Sequence, residues 1–574
     1  MKIKIARNAG FCMGVKRAVD MAIDISRQHP ETVFYTYGHL VHNPQTVALL
    51  AKMGIVPITN IHEIPANKQN ISLIIRAHGI TPVERAEIKK RNIHIVDATC
   101  PKVAFVQGVV RKHARQGYNI VIFGNILHPE VNAILGYAEG KGFVINSQQE
   151  MTQLPQMEQV CVVAQTTSSV DEYKAIGDAL RARFNKIVIF NTICDSTEQR
   201  QKETKKIAQE TDAVIVVGGK NSANTARLAQ IAKEEGTDTY HVETVADLME
   251  LSLTQYACIG IVAGASTPNW ILDKVVTHIR KVANQKKYIW GSFKTLLNFL
   301  IRTDIFSASG AIVFCLLSAR LQGINVQPFG IIATVLFLFA AHTISRIANR
   351  RSNAIIGSIR EDTYAGREKT FLIFGIASLA TALLIATQLG IFPFALLTIW
   401  IICGVTYHVF YYKRQVGDRD VAGFKNVAVA LAWATIITCI PCNSGLAVMG
   451  NKMALISGGF IFGLVFVRSL LSDISDIQSD RLIGKTTIPI LIGSKKTGFL
   501  IVTLCALVLL VLLLAGFPKH LWMGLALPYF YLWICFVFYD RWQRRFSRIA
   551  MEGIIETSYL IAGLVVIWYA FKNG

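Results

Sequence analysis

The chain has 574 residues, with 59 Lys and Arg against 38 Asp and Glu, for a formal net charge of +21. This length exceeds what one hydrophobic core usually organises, so at least two domains are expected. An apolar fraction of 52% and a mean hydropathy of +0.39 exclude a wholly soluble chain. Much of the positive charge lies in loops between apolar runs, where the positive-inside rule accounts for it, so nucleic acid is not an expected partner.

Residues 1–285 mix charged and apolar residues in short blocks. The chain starts with no apolar signal-like segment, and "KIKIA" leads through "RNAGFC" into a helical pattern. This half is therefore expected in the cytoplasm, where its five cysteines would be reduced and suited to metal binding or catalysis rather than disulfides. Cys12, Cys100 and Cys194 each follow a β-branched run and a turn and precede a helical pattern, 88 and 94 residues apart. Cys161 and Cys258 fall inside apolar strand patterns and read as core.

Two further elements recur in step. "VFYTYGHLVHNPQTVALL", "IVIFGNILHPEVNAIL" and "VIVVGGKNSANTARLA" place His42, His128 and Ser222 beyond a strand and a glycine. "SLIIRAHGITP", "VCVVAQTTSSV" and "IGIVAGASTP" place His78, Thr166 with Thr167, and Ser266. The predicted fold is three α/β units of about 90 residues, with polar residues gathered beyond the strand ends. A pseudo-threefold arrangement would bring the three cysteines together; the alternative is three unrelated core cysteines.

Three single thiolates suit an iron–sulfur cluster with one open iron better than structural zinc, which takes four ligands, often in close pairs. The His, Ser, Thr and Asn ring near helix N-termini suits a phosphate-bearing substrate. Neither GxxxxGK[ST] nor GxGxxG is found, which weakens nucleotide readings. Glu130 is the one acid on these three polar turns. It reads either as a proton donor or as an ordinary first-turn acid favoured by the helix dipole.

The turns "GFCMGVKRAV", "DATCPKV" and "TICDSTEQRQ", together with "VHNP", "RAHG", "HPEV", "QTTSSVDEY", "KNSANT" and "GASTP", resemble the 4-hydroxy-3-methylbut-2-enyl diphosphate reductase family over residues 1 to about 283. The resemblance implies a three-lobed α/β trefoil around a four-iron four-sulfur cluster held by Cys12, Cys100 and Cys194. It implies reductive removal of a hydroxyl from the allylic diphosphate to give isopentenyl and dimethylallyl diphosphate, the last step of the methylerythritol phosphate route. Ferredoxin or flavodoxin is the implied class of electron donor. By the same resemblance Glu130 relays the proton and Thr167 lies beside the substrate hydroxyl. His42, His78, His128, Ser222, Asn224 and Ser266 hold the diphosphate. Ala223 stands where the family usually has a second serine, so one phosphate hydrogen bond is expected to be missing.

Residues 286–303 read as a basic, aromatic juxtamembrane linker, and "KKYIWGSFKTLLNFLIR" as a segment suited to a membrane surface. Residues 304–574 read as an all-α bundle of nine spans: 304–321, 327–345, 370–389, 391–411, 426–441, 453–471, 498–516, 521–539 and 553–571. Basic loops alternate with nearly uncharged ones, so the basic set is expected in the cytoplasm and the protein in the inner membrane, among its lipids. Cys439 and Cys442 form an incidental "CIPC". Asp473, Asp476 and Asp480 recur at helical spacing, a face able to hold Mg²⁺ against a diphosphate. With "GFKNVAVALAW", this stretch resembles the UbiA prenyltransferase family. The family's first acidic motif, however, is replaced by "HTISRIANR", with Thr343, Arg346 and Arg350 at the acidic positions. Arginine cannot ligate Mg²⁺ but can bind a diphosphate directly. Two functions are therefore expected: a membrane-tethered reductase or, alternatively, a prenyltransferase of quinone or lipid biosynthesis whose reductase half supplies its precursor.

Overall fold

The computed structural model describes residues 1–65, 70–284, 290–348, 361–364, 366–413, 423–441, 451–483, 487–516, 519–539, 542 and 548–564. The chain divides into two compact units, Met1–Gln285 and Lys286–Gly574.

The described residues of the first unit contain twelve strands. They are β1 (Lys2–Ile5), β2 (Val33–Tyr37), β3 (Ile55–Ile58), β4 (Ile71–Ile75), β5 (His94–Asp97), β6 (Asn119–Phe123), β7 (Gly142–Ile145), β8 (Gln159–Ala164), β9 (Lys186–Ile189), β10 (Ala213–Val217), β11 (Asp238–Val242) and β12 (Cys258–Ala263). They form three four-stranded sheets, ordered β3-β2-β4-β5, β7-β6-β8-β9 and β11-β10-β12-β1. Every pairing is parallel. Parallel sheets are covered on both faces, which requires near-continuous apolar runs such as "AVIVV" of β10, buried along its whole length.

Each sheet repeats one order, but the third is closed by the first strand of the chain. β1 pairs with β12 from Lys2↔Cys258 to Ile5↔Ile261. The repeat is thus permuted in sequence. The strand leading to Cys12 occupies the edge position that β5 and β9 hold in the other two lobes. Separate apolar clusters fill the lobes, including one around Val121, Val162 and Leu180 and another around Ile215, Ile261 and Val275.

Among the described residues of the second unit, six helices are long and apolar enough to cross a membrane: Ile305–Gln322, Pro328–Ala348, Glu368–Leu389, Ile391–Val409, Lys452–Ile477 and Ser494–Leu514. Phe424–Cys439 and Leu521–Val537 are apolar but shorter. The last expected span, 553–571, is described only through residue 564. The described residues therefore give six long and two shorter apolar helices where nine spans were expected. The helix Trp290–Arg302 packs on its own unit, with Ile301 buried against Ile549. Phe314, Trp433, Leu464 and Tyr529 belong to the common core of the bundle.

Candidate functional site

The three cysteines occupy equivalent positions. Cys12 caps α1 (Met13–Gln28), Cys100 caps α4 (Pro101–Arg115) and Cys194 caps α7 (Asp195–Gln209), where α4 and α7 are numbered after the intervening α2 (Pro44–Lys52) and α3 (Pro82–Lys90) of the first lobe and α5 (Pro129–Leu135) and α6 (Val170–Arg183) of the second. Each cysteine N–H donates to the carbonyl just past the third strand of its sheet. Cys12 bonds Ala265 at 3.0 Å, Cys100 bonds Ala77 at 2.9 Å and Cys194 bonds Thr166 at 3.0 Å. Helix N-termini favour thiolate, and Val15 N–H reaches Cys12 Sγ at 3.4 Å. Burial pushes the Cys100 thiol up. N–H groups of Lys102 and Val103 oppose this, and the nearby Cys12 and Cys194 add to it.

The thiols share one electrostatic neighbourhood without closing on one point. Among the described residues they do not form a set with all ligand atoms within 4.8 Å of one another, as four-coordinate zinc with ~2.3 Å Zn–S bonds would demand. Gly14 keeps the space open: a Cβ there would stand 2.7 Å from Cys100 Sγ and 3.9 Å from Cys12 Sγ. A polynuclear centre fits this cradle better than a single ion. Arg200 of α7 is buried beside it, donating to the carbonyls of Asn8, Ala263 and Gly10 within the field of Cys12 and Cys194. Cys161 is buried in β8, its thiol pushed up to about 12 by burial, and Cys258 opens β12; neither joins the trio.

The polar turns of the first two lobes meet in a histidine cluster. His42 follows β2, His78 follows β4 and His128 follows β6. Their ring centroids lie 4.9 Å (42–78), 5.1 Å (78–128) and 5.9 Å (42–128) apart. All three imidazoles are held toward the neutral form. Burial is the main cause, with Arg76 contributing in each case. It lowers His42, takes His128 to about 4, and depresses His78 most strongly, with help from the two neighbouring rings. Among the described residues, the buried nitrogens His42 Nε2, His78 Nδ1, Asn43 Nδ2 and Asn224 Nδ2 have no hydrogen-bond partner, the signature of a site shaped for a polar ligand.

The third lobe closes this ring. Ser222 caps α8 (Ala223–Glu234), accepting from Thr225 N–H at 3.4 Å. Ser266 Oγ lies 3.4 Å from the His42 carbonyl and 3.5 Å from Ser222 Oγ. Gly219 permits the approach, since a side chain there would strike the His42 carbonyl. Asn224 is buried, whereas Ala223 is exposed; the position lacking the expected serine does not line the buried part of the ring.

Glu130, near the start of α5, is 2% exposed. Its Oε1 accepts from Thr166 N–H at 2.7 Å and its Oε2 from Thr166 Oγ1 at 3.0 Å. Burial raises its pKa, and the Thr166 bonds pull the other way. Because the Thr166 carbonyl also accepts the Cys194 N–H, one residue joins the acid to a cysteine of the cradle. Thr167 Oγ1 accepts from Gln165 Nε2 at 3.0 Å. Sequence reasoning named Thr166 only by position and missed Arg76 and Asn43, whose signals were present in "RAHG" and "VHNP".

In the second unit Asp473, Asp476 and Asp480 share the helix Lys452–Ile483. At 1.5 Å per residue it is about 48 Å long, exceeding the ~30 Å bilayer core, and the acids sit in its terminal turns. Asp473 accepts from Asn426 Nδ2 at 2.7 Å, and Asp480 is 7% exposed. Among the described residues these three carboxylates do not form a ligand set within 4.8 Å. Thr343 is buried, and Arg346 pairs with Asp304 at 2.5 Å through Nη2 and 2.8 Å through Nε. Arg346 is therefore engaged within the protein, contrary to the sequence expectation of a guanidinium available to a diphosphate. Arg350 and Cys442 lie outside the described residues. A second network joins Arg468 to Glu556 at 3.2 Å and Glu556 to Ser307 at 2.5 Å.

Comparison with known proteins separates the two halves in the same way. Residues 3–280 match the family described as LytB protein, and residues 311–552 match the UbiA prenyltransferase family. The 4-hydroxy-3-methylbut-2-enyl diphosphate reductase of Citrifermentans bemidjiense is 41% identical over 286 residues, 50% of this chain and 99% of that protein. The solved structure of (E)-4-hydroxy-3-methyl-but-2-enyl diphosphate reductase, described as the terminal enzyme of the non-mevalonate pathway, is 39% identical, with TM-score 0.39; the match covers 49% of this chain and all of that one. The apo structure of a UbiA homologue from Aeropyrum pernix is 14% identical, with TM-score 0.38, over 46% of this chain and 98% of that one.

Proposed function

The chain belongs to the LytB family of 4-hydroxy-3-methylbut-2-enyl diphosphate reductases, and from that premise we propose that its first half converts this substrate to isopentenyl and dimethylallyl diphosphate. The balance is two electrons and two protons in, one C–O bond broken, one C–H bond formed and one water released. Cys12, Cys100 and Cys194 would hold a four-iron four-sulfur cluster, which supplies the electrons and a Lewis-acidic iron for the substrate oxygen. A ferredoxin- or flavodoxin-class protein is the proposed electron source.

The chain's own residues divide the remaining work. His42, His78, His128, Ser222, Asn224 and Ser266 line a pocket of hydrogen-bond donors suited to the diphosphate. Thr167 orients the hydroxyl to be lost. Glu130, whose carboxyl burial keeps protonated to higher pH, delivers protons on that side of the pocket. The observation that carries this reading is the bridge through Thr166, which holds the Glu130 carboxyl against the peptide of Cys194.

The test is anaerobic purification of the full chain in detergent, with iron and sulfide analysis and assay with a chemical reductant. Expected are about four irons per chain and release of both five-carbon diphosphates. Zinc in the cradle, or no turnover with a fully loaded cluster, would overturn the reading.

The second unit is a multi-pass membrane domain of UbiA kind. We place it in the inner membrane with the reductase half in the cytoplasm, a reading supported by the basic loops. It is proposed to engage prenyl lipids. Any Mg²⁺ would be confined to Asp473, Asp476 and Asp480, because the positions of the other acidic motif hold Thr343, Arg346 and Arg350, and arginine cannot ligate it. Prenyl transfer fed by the first half remains the second reading, carried by the family match.

A further inference from the structure

We propose that Arg76 is the fixed cation of the diphosphate pocket, binding phosphate oxygens directly through its guanidinium. This deepens the diphosphate reading above and rests on it.

Arg76 directly follows β4, two residues before His78, in the turn that brings the first lobe to the pocket. Its positive charge lies near enough to the cluster to act on all three histidines. The chain leaves room for it. Gly38 has φ +74, and a Cβ at that position would run into the Arg76 guanidinium. Any other residue would carry both left-handed strain and that collision.

Among the described residues no carboxylate forms an ion pair with this cation. Among the described residues the Arg76 side chain has no ion pair and no hydrogen bond, and its Nε is buried without a partner. The acid nearest in electrostatic effect, Glu84, is committed to its own helix cap, accepting from Thr81 N–H at 2.7 Å and Thr81 Oγ1 at 2.8 Å. Other buried or partly buried arginines have partners: Arg227 pairs with Glu172 and Glu234 and Arg85 with Asp97, while Arg183 and Arg200 donate to backbone carbonyls. A half-buried, unpaired guanidinium is costly unless a ligand supplies the counter-charge.

The ligand needs such a charge. A diphosphate ester brings several negative charges, and three neutral imidazoles offer N–H donors but no net charge. A planar guanidinium can bind phosphate oxygens bidentately and stays charged at all relevant pH.

The test is calorimetric titration of inorganic diphosphate into the anaerobic, cluster-loaded full chain, comparing wild type with Arg76→Lys and Arg76→Gln. Wild type is expected to bind, Arg76→Gln 10- to 100-fold more weakly, as loss of one charge-assisted contact implies, and Arg76→Lys in between. Binding by Arg76→Gln within about twofold of wild type would overturn the proposal while leaving the diphosphate reading standing. Failure of wild type to bind would remove both. Where Arg76→Gln does not fold or loads no iron, the wild-type chain decides. Inorganic diphosphate should protect Arg76 from an arginine-selective dicarbonyl reagent, read by peptide mass spectrometry, and undiminished modification would overturn the assignment.

Discussion

Glu130 is the residue on which the proposed proton delivery turns, and its surroundings make two effects separable. Glu130→Gln retains an acceptor for Thr166 N–H but cannot release a proton. It is expected to leave iron content unchanged and remove most turnover; turnover near wild type would take Glu130 out of the proposed role. The raised pKa also has a sign for stability. Above the ordinary carboxylate range the native state binds more protons at this site than the unfolded chain does, so stability falls as pH rises through that window. Glu130→Gln should flatten that fall, measurable as a smaller pH dependence of the melting temperature. The histidines act oppositely. Their unfolded values lie near 6.5 while His128 stays neutral to about 4, so acidification over that interval favours the unfolded chain. A melting temperature that did not drop between pH 7 and 4, or a drop unaltered by His128→Gln, would contradict this.

Among the elements, the informative ones are the strand–turn–helix junctions. Each places a cysteine at a helix start and ties its N–H to the end of a neighbouring strand, so the placement of the three thiols is inherited from sheet geometry. Gly14 lies in the first turn of α1 (Met13–Gln28) and leaves the space between Cys12 and Cys100 empty. Gly14→Ala is favoured by helix propensity by about 1 kcal/mol, yet its Cβ would press on the Cys100 sulfur. The expected outcome is a folded chain with clearly lower iron content. Full cluster loading in Gly14→Ala would show that the cradle tolerates an added methyl. Asn43 illustrates a smaller effect: its Oδ1 caps α2 (Pro44–Lys52), accepting from Thr46 N–H at 2.9 Å, and Asn43→Ala should cost about 1 kcal/mol of stability.

At the scale of the whole molecule, the two units have separate cores. The relative from Citrifermentans bemidjiense is matched over 99% of its length by the first half alone, so residues 1–285 correspond to a protein that stands by itself. Excised from the chain, they are expected to load iron and turn over with a chemical reductant as the full chain does. Asp476→Ala in the full chain should likewise leave reduction unchanged; a loss would reveal coupling between the units. With the first acidic motif replaced and Arg346 tied to Asp304, Mg²⁺-dependent prenyl transfer should be weak or absent in membranes containing the full chain, and robust transfer would refute that.

Much of this was legible in the residues themselves. Near-continuous β-branched runs dictate parallel strands, since only a sheet covered on both faces can bury them. Cysteines in phase with recurring polar turns point to one shared centre, and long apolar runs with basic loops between them require a membrane. These are local patterns, set by neighbours along the chain. What only tertiary structure decided depends on contacts across tens to hundreds of residues. β1 closes the third sheet rather than its own. Glu130 leans on Thr166, Arg346 is consumed by Asp304, and among the described residues Arg76 is left without an ion-pair partner. A charge in a sequence does not state its partner, because pairing and desolvation are set by distance in space, and it is the absence of a partner beside the histidines that marks Arg76.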